Sequence, residues 1–463
     1  MDVYDIVVIG AGPGGYPAAI RAAQLGAKVA IVEREYFGGT CLNWGCIPTK
    51  VFAGVASLVH QVRHKCNTGI RVQGIEVDYP ALFQHKERVV HQLRNGVKQL
   101  LQAHGVNIVT GNGRFVDPHT IEVQSEGQRT CLTAKRVIIA SGSTSLIPPQ
   151  IPQHEQIVDS RGFLALQQLP ASLLVIGGGY IGCELACIAA VAGVRVTIVE
   201  MLDDVLTILD PDVRREVRSF MENILGIKII TGTKIEELDV PGTEVRVKTG
   251  NGEIVTDMVL VATGRKPVTD GLDIEKAGVK TDGRGFVIVD DYGRTNVGNI
   301  YAVGDVTGRM QLAHYATSQG LTVAENACKL TLQRFETVVP SVIFTIPEAA
   351  SVGLTETMAK AKGRDVQIAK FRFGGLGRAV AAAETMGFVK LITDPGTDQL
   401  LGAAVVGPHA TELIAELTVA VRAEITAKEL ASTIHAHPTF SEAWMEAAHA
   451  VHGLCVHAPP KKR

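Results

Sequence analysis

Two cysteines five residues apart, Cys41 and Cys46 in GGTCLNWGCIPTK (38–50), are the residues of this 463-residue chain best suited to chemistry. Such a pair can be a structural staple, part of a metal site, or a dithiol that turns over. On one ideal helix, five residues rise about 7.5 Å and point the side chains nearly apart. A disulfide needs Cα atoms roughly 4.4–6.8 Å apart, so the pair closes only if the backbone bends between them. Asn43 and Gly45 lie inside the loop and tolerate a bend. Gly38 and Gly39 precede it and allow close approach to a ligand. A zinc site would want C-x-x-C spacing and further ligands, and the sequence has no second knuckle. The other cysteines, at 66, 131, 183, 187, 328 and 455, are too sparse for a disulfide framework. A staple over so short a loop adds little, so a redox dithiol beside an electron carrier fits best. Lys50 follows closely, and its cation could depress a thiolate pKa or polarise a carrier ring.

A second candidate group is HAHPTFSE, residues 435–442. In an extended run, His435 and His437 would face the same way, which suits a metal. Thiol–disulfide exchange, however, needs a base to form the attacking thiolate, and a neutral imidazole has about the right pKa. An acid within reach would fix its tautomer. Pro438 biases His437 to an extended backbone. The base reading is preferred, and no metal is expected.

A repeat supplies the elements that must position these groups. Residues 5–35 and 172–202 align without a gap at an offset of 167. Gly10, Gly12, Gly15, Gly26 and Glu33 match Gly177, Gly179, Gly182, Gly193 and Glu200. Each copy reads as an apolar strand, G-x-G-x-x-G, an Ala-rich helix, a second strand and an acid. The first glycine allows the tight turn, the second lets backbone approach a pyrophosphate, and the third lets helix and strand pack closely. The helix N-terminus offers free N–H groups to phosphate, and the acid accepts from ribose hydroxyls. Two copies in this context predict two dinucleotide sites. Further strand–glycine runs follow at 136–143, 257–267 and 300–308; the last ends a buried strand at Asp305, which could hold a polar ligand. The last 120 or so residues carry β-rich runs and one amphipathic helix, ATELIAELTVAVRAE, with no nucleotide fingerprint.

Composition limits the alternatives. At 46% hydrophobic, the chain can bury two to four cores. A net charge of -2 gives no basic field for nucleic acid, and the terminal KKR is read as solvated. The stretch 171–194 has one charged side chain, Glu184, and passes a crude membrane filter. Its glycines fall in the strand–turn–helix pattern instead, so no membrane span is expected. No export signal is read before DIVVIG, and a cytoplasmic, reducing location is expected.

GAGPGGY, GGTCLNWGCIPTK, GGGYIGCE, ATGRKP, YAVGDVTGRMQLAH and HAHPTFSE occur in that order over nearly the whole chain. In these motifs the sequence resembles the flavoprotein pyridine nucleotide-disulfide oxidoreductases, and within them the dihydrolipoamide-oxidising branch. The resemblance implies an α/β fold with two Rossmann-like dinucleotide-binding domains plus a C-terminal α+β dimerisation domain. The expected division is 1–147 for FAD, 148–269 for NAD, 270–338 completing the FAD site, and 339–463 for the interface. It places FAD contacts at Gly10, Gly12, Gly15, Glu33, Thr40, Lys50, Gly113, Ser141, Gly142, Asp305 and Ala313. It places nicotinamide dinucleotide contacts at Gly177, Gly179, Gly182, Glu200 and Gly264. Glu184 would pair with Lys50 near the flavin. His437 would be the base and Glu442 its orienter, acting in the partner subunit of an obligatory homodimer.

The implied reaction oxidises protein-bound dihydrolipoamide through Cys41–Cys46 and FAD to NAD+. Partners would be lipoyl domains of 2-oxoacid dehydrogenase or glycine cleavage complexes. Glu200 would repel a 2′-phosphate, and no Arg follows it until Arg214, which favours NAD over NADP. Glutathione reductases typically carry Lys-Lys after the Pro of the cysteine motif, where Thr49-Lys50 stands here. Mercuric reductases typically end in a Cys pair, where only Cys455 stands. A non-catalytic flavin scaffold would lack a motif cysteine, Lys50 or His437, and all are present. Trp44 and Phe440 depart from the commonest pattern and would alter shape near the site.

Overall fold

The computed structural model describes residues 3–64, 69, 71–329 and 332–459. Cys66 and the terminal KKR lie outside the described residues.

The apolar run at the start forms the strand Val3–Ile9, buried along its C-terminal half. It is central to a seven-stranded sheet. Val29–Glu33 and Asn107–Thr110 lie parallel on one side. On the other, it pairs in parallel with Gln128–Ile139, which also pairs in parallel with Ile300–Ala302. Asn112–Asp117 and Thr120–Ser125 extend this sheet as an antiparallel meander. Apolar clusters cover both faces, as a largely parallel sheet requires. The helix Gly15–Gln24 packs over the sheet beside Ala313–Lys329.

The repeat folds the same way. Ser172–Ile176, wholly buried, is central to a five-stranded parallel sheet with Lys228–Ile230, Arg195–Val199, Met258–Val261 and Ile157–Asp159. The stretch weighed as a membrane span is this strand, a turn and the helix Tyr180–Val191. Among the described residues, no helix is long and apolar enough to cross a membrane. The two glycine turns superimpose in physical terms. Gly10 has φ +100° and Gly177 φ +109°, and a Cβ on either would stand 2.4 Å from a carbonyl, that of Ala140 or Ala262. No L side chain fits there.

The C-terminal unit is a five-stranded antiparallel sheet in the order Ser341–Ile343, Ala349–Gly353, Leu400–Val406, Phe388–Thr393, Gln367–Arg372. Ala410–Arg422 and Glu442–Val451 pack on it around a separate core that includes Trp444. Phe440 is in this core, edge-on to Phe373 and His409, rather than at a reactive site as its motif position suggested.

A buried ionic junction ties this unit to the second nucleotide fold. Lys390 is fully buried and reaches Asp210 at 3.0 Å, Asp212 at 3.2 Å and Glu356 at 2.8 Å. Burial opposes ionisation of Asp210, but the N–H groups of Thr357 and Glu356 and the Lys390 ammonium more than offset it, so its carboxyl lies below the usual range. Asp212 and Glu356 are also held low. Because these folded values fall below the unfolded ones, the junction stabilises fully above about pH 4 and loses that contribution as pH falls through the folded values. Lys390→Met leaves the buried Asp210 without a cation, while Asp212 keeps Lys370 and Glu356 keeps Lys360. It is expected to cost about 3–5 kcal/mol, read by denaturant unfolding at neutral pH, with the deficit shrinking in acid. An unchanged midpoint would refute this account of the junction.

Candidate active site

The cysteine segment lies where the first glycine turn meets the start of the repeat's helix. Gly39–Trp44 is one short helix and Cys46–His64 the next, with Gly45 breaking the run between them. The bend expected from the spacing is therefore at Gly45 alone. A Cβ on Gly45 would come 2.8 Å from the Thr40 carbonyl and 3.3 Å from Cys41 Cα, so only glycine lets the chain fold back on itself here. Asn43, also considered for the bend, is helical and buried. Its amide donates to the Phe37 and Gly39 carbonyls and accepts from Arg94.

The fold-back brings the two thiols into hydrogen-bond contact and drives them apart electrically. Cys41 donates to Cys46, and with burial this pushes the Cys41 thiol far up. The same bond holds Cys46 below the usual thiol value against the cost of burial, with the Lys50 cation helping. Cys46 is thus the sulfur that keeps negative charge. Lys50 is fixed by an ion pair to Glu184 at 2.9 Å, and its Nζ sits 4.1 Å from the Phe344 ring centroid. The other Glu184 oxygen accepts from the Phe344 N–H at 2.8 Å. The lone charge of the apolar stretch therefore has a partner on each oxygen.

Both sulfurs open on a cleft of about 530 Å³. Of the residues expected to touch FAD, Gly10, Gly12, Glu33, Thr40, Lys50, Ser141, Gly142, Asp305 and Ala313 line it. Gly15 and Gly113 do not. A Cβ on Gly15 would stand 1.9 Å from the Gly10 carbonyl, so this glycine serves helix–strand packing; Gly113 is in a strand against Val32. The helix Gly15–Gln24 begins at this cleft without a side-chain cap or an acid in its first turn, which leaves N–H groups for an anion. Glu33 accepts from the Ala11 and Glu35 N–H groups at 2.8 and 2.9 Å. Each carboxylate oxygen keeps a lone pair for a ribose hydroxyl. Burial pushes Glu33 and Asp305 upward; for Asp305 the Ser143 hydroxyl and Arg265 oppose it. These features fit a flavin dinucleotide.

The repeat reproduces this geometry. Glu200 accepts from the Gly178 and Leu202 N–H groups at 2.6 and 2.8 Å, and the helix Tyr180–Val191 also lacks a side-chain cap. Cβ positions on Gly179 and Gly264 meet open space, so a second ligand can approach there, whereas Gly177 and Gly182 are closed by backbone. None of these five lines the first cleft, but Tyr180, Ile181, Glu184 and Leu185 do, so the second fold walls it. Arg214 is paired with Asp204 at 2.9 Å.

The histidines part company. His437 Nδ1 is 2.8 Å from Glu442 Oε1, with the ring three-quarters exposed. Glu442 also accepts from the Thr439 N–H, and these bonds outweigh burial to hold its carboxyl low. His435 is buried and bonded to Glu416 at 2.7 Å, a bond that raises its pKa against desolvation. The i,i+2 pair does not share a face or a ligand. Among the described residues, no group of three or more His, Cys, Asp or Glu is arranged to hold a metal. The His437–Glu442 dyad does not line the cleft holding the cysteines.

Several lining residues escaped the sequence. Arg265, buried in the quoted ATGRKP motif, donates to the Ser143 hydroxyl and carbonyl at 2.7 Å each and stands 3.8 Å from Asp305. Its signal was adjacency to Gly264. Phe344 had no motif at all.

The family described as pyridine nucleotide-disulphide oxidoreductase matches residues 4–320, and its dimerisation domain matches 339–448. The chain is similar to the dihydrolipoyl dehydrogenase of Chlamydia muridarum, 41% identical with all of both chains covered. It is 43% identical to that of Thermus scotoductus over 99% of each. Among solved structures it is similar to LpdA from Mycobacterium tuberculosis, with TM-score 0.91 and 28% identity over 97% of this chain and 100% of that one.

Proposed function

The chain belongs to the pyridine nucleotide-disulphide oxidoreductase family, and on that premise we propose that it oxidises protein-bound dihydrolipoamide to lipoamide and reduces NAD+ to NADH. Flavin and nicotinamide binding come with the family, and the dimerisation domain makes the working unit a homodimer. The cofactors are read as FAD in the 1–147 unit completed by 270–338, and NAD in 148–269. The observation that carries the reading is the fold-back at Gly45, which sets Cys41 against Cys46 on the wall of the cleft that begins at the Gly10–Gly12 turn, with Lys50 fixed there by Glu184.

His437, oriented by Glu442, takes the proton of one substrate thiol. That thiolate attacks Cys41 of the disulfide; the Cys41–Cys46 bond breaks and Cys46 leaves as a thiolate. The Lys50 cation stabilises that thiolate, which makes Cys46 the better leaving group. The second substrate thiolate then attacks its own bridged sulfur, closing lipoamide and releasing Cys41, which is protonated. A flavin held by these residues would supply the acceptor for the electron pair of the Cys41/Cys46 dithiol, with nicotinamide as the final acceptor. Lys50 is held beside Cys46 by its ion pair with Glu184. The FAD contacts are read as Gly10, Gly12, Glu33, Thr40, Lys50, Ser141, Gly142, Asp305 and Ala313, with Gly15 and Gly113 shaping the backbone beneath. Gly177, Gly179, Gly182, Glu200 and Gly264 are read as the NAD site.

His437 is exposed and does not line the cleft of its own chain, which supports its action in the partner's site. Lipoyl domains of 2-oxoacid dehydrogenase or glycine cleavage complexes are the proposed partners, in the cytoplasm. The test is turnover of purified protein with dihydrolipoamide. NAD+ should be reduced, and NADP+ at least about tenfold more slowly because Glu200 repels a 2′-phosphate. No turnover would overturn the reaction, and NADP+ preference would overturn the role of Glu200.

A further inference from the structure

Trp44, inside the cysteine loop, has no part in the exchange chemistry, yet it lines the cleft. The Arg161 guanidinium lies 3.9 Å from its ring centroid. That guanidinium also forms an ion pair with Glu35, whose N–H donates to Glu33. Tyr36 stands edge-on to Trp44 at 6.1 Å, and Arg94 stacks on Tyr36 at 3.7 Å while bonding Asn43. Arg161 comes from a later part of the chain than all of these, on the short helix Ser160–Leu164 that Asp159 caps through the Gly162 N–H at 2.9 Å.

These contacts tie the cysteine loop to the segment after Glu33, the ribose-accepting acid. Arg161 reaches over from the segment leading into the second fold, stacks on Trp44, two residues before Cys46, and pairs with Glu35, whose N–H bonds Glu33. Glu35, Tyr36, Trp44 and Arg161 all line the cleft, and the Arg161 side chain is half exposed. Arginine suits this place because one planar group can stack on indole and bond a carboxylate together. A dinucleotide held in this cleft at Glu33 would share its walls with this bridge.

We propose that Arg161, stacked on Trp44 and paired with Glu35, is a clasp across the cleft that sets how long the flavin dinucleotide is retained. The proposal rests on the reading of this cleft as the FAD site. Arg161 is a positioning residue and takes no part in thiol exchange. Release opens the clasp, so losing it speeds dissociation.

The test is release of FAD from the holoprotein on dilution, followed by the fluorescence of the freed cofactor. Arg161→Ala should release it on the order of tenfold faster, the change expected on losing a cation–π contact and an exposed ion pair. Arg161→Lys keeps the charge but not the planar stack, and Glu35→Gln keeps the stack but not the pair; both should fall between. Emission of Trp44, one of the two tryptophans, should change in Arg161→Ala, since Trp444 is buried in the other unit. Release by Arg161→Ala within about twofold of the parent rate would overturn the clasp while leaving the FAD site standing. A parent protein that holds no flavin would overturn both.

Discussion

Cys46→Ser is expected to lower turnover of dihydrolipoamide by on the order of a thousandfold or more while the protein still carries flavin. The reason is the division of labour between the two sulfurs. Cys46 is the group that must bear negative charge when the S–S bond breaks, and the structure favours that through the Lys50 cation, held in place by Glu184. A serine cannot form the bond, and its oxygen is far more basic than a thiolate. Cys41→Ser should be equally inactive for a different reason, since no sulfur is left to receive the substrate. The two variants separate spectroscopically. Cys41→Ser keeps the sulfur at 46 beside Lys50, while Cys46→Ser leaves a single thiol at 41 facing a neutral hydroxyl. Substantial turnover in either would contradict the exchange scheme.

His437→Gln should lower turnover by about 10²–10⁴-fold. The loss should shrink as pH rises toward the ordinary thiol range, where the substrate ionises without help. Glu442→Gln keeps the imidazole but loses its carboxylate partner at 2.8 Å, and its effect should be smaller. Because the dyad is absent from the cleft of its own chain, mixed dimers give a sharper result. Randomly reassorted Cys46→Ser and His437→Gln subunits should regain about a quarter of parental activity, because half the dimers are mixed and each has one site with both groups intact. No recovery would place the base in its own subunit.

Much of this was written in the sequence, for identifiable reasons. The repeat was legible because tight backbone geometry leaves only glycine at Gly10, Gly15 and their partners, and such constraints survive as spacing. The same holds for the alternation and length of the parallel strands. The bend between the cysteines was foreseeable as a need, but its place was not: Asn43 and Gly45 were both open until the Thr40 carbonyl was seen to bar a Cβ at 45. The likeness drawn between His435 and His437 failed because spacing in an extended run says nothing of which carboxylate meets each ring. The Lys390–Asp210 pair, the Arg265–Ser143 bonds and the Arg161–Trp44 clasp join residues more than a hundred positions apart. Single residues carry no local pattern of that kind, so only the folded chain brings them together.

The account stands most directly on whether Cys41 and Cys46 cycle. The measurement is differential alkylation of the oxidised holoprotein, without oxygen, after mixing with dihydrolipoamide and again after adding NAD+. The peptide holding both cysteines should start unlabelled, take up two alkyl groups after the substrate, and return to the unlabelled disulfide once NAD+ is supplied. Reduction of NAD+ by dihydrolipoamide while that peptide stays unchanged would contradict the account.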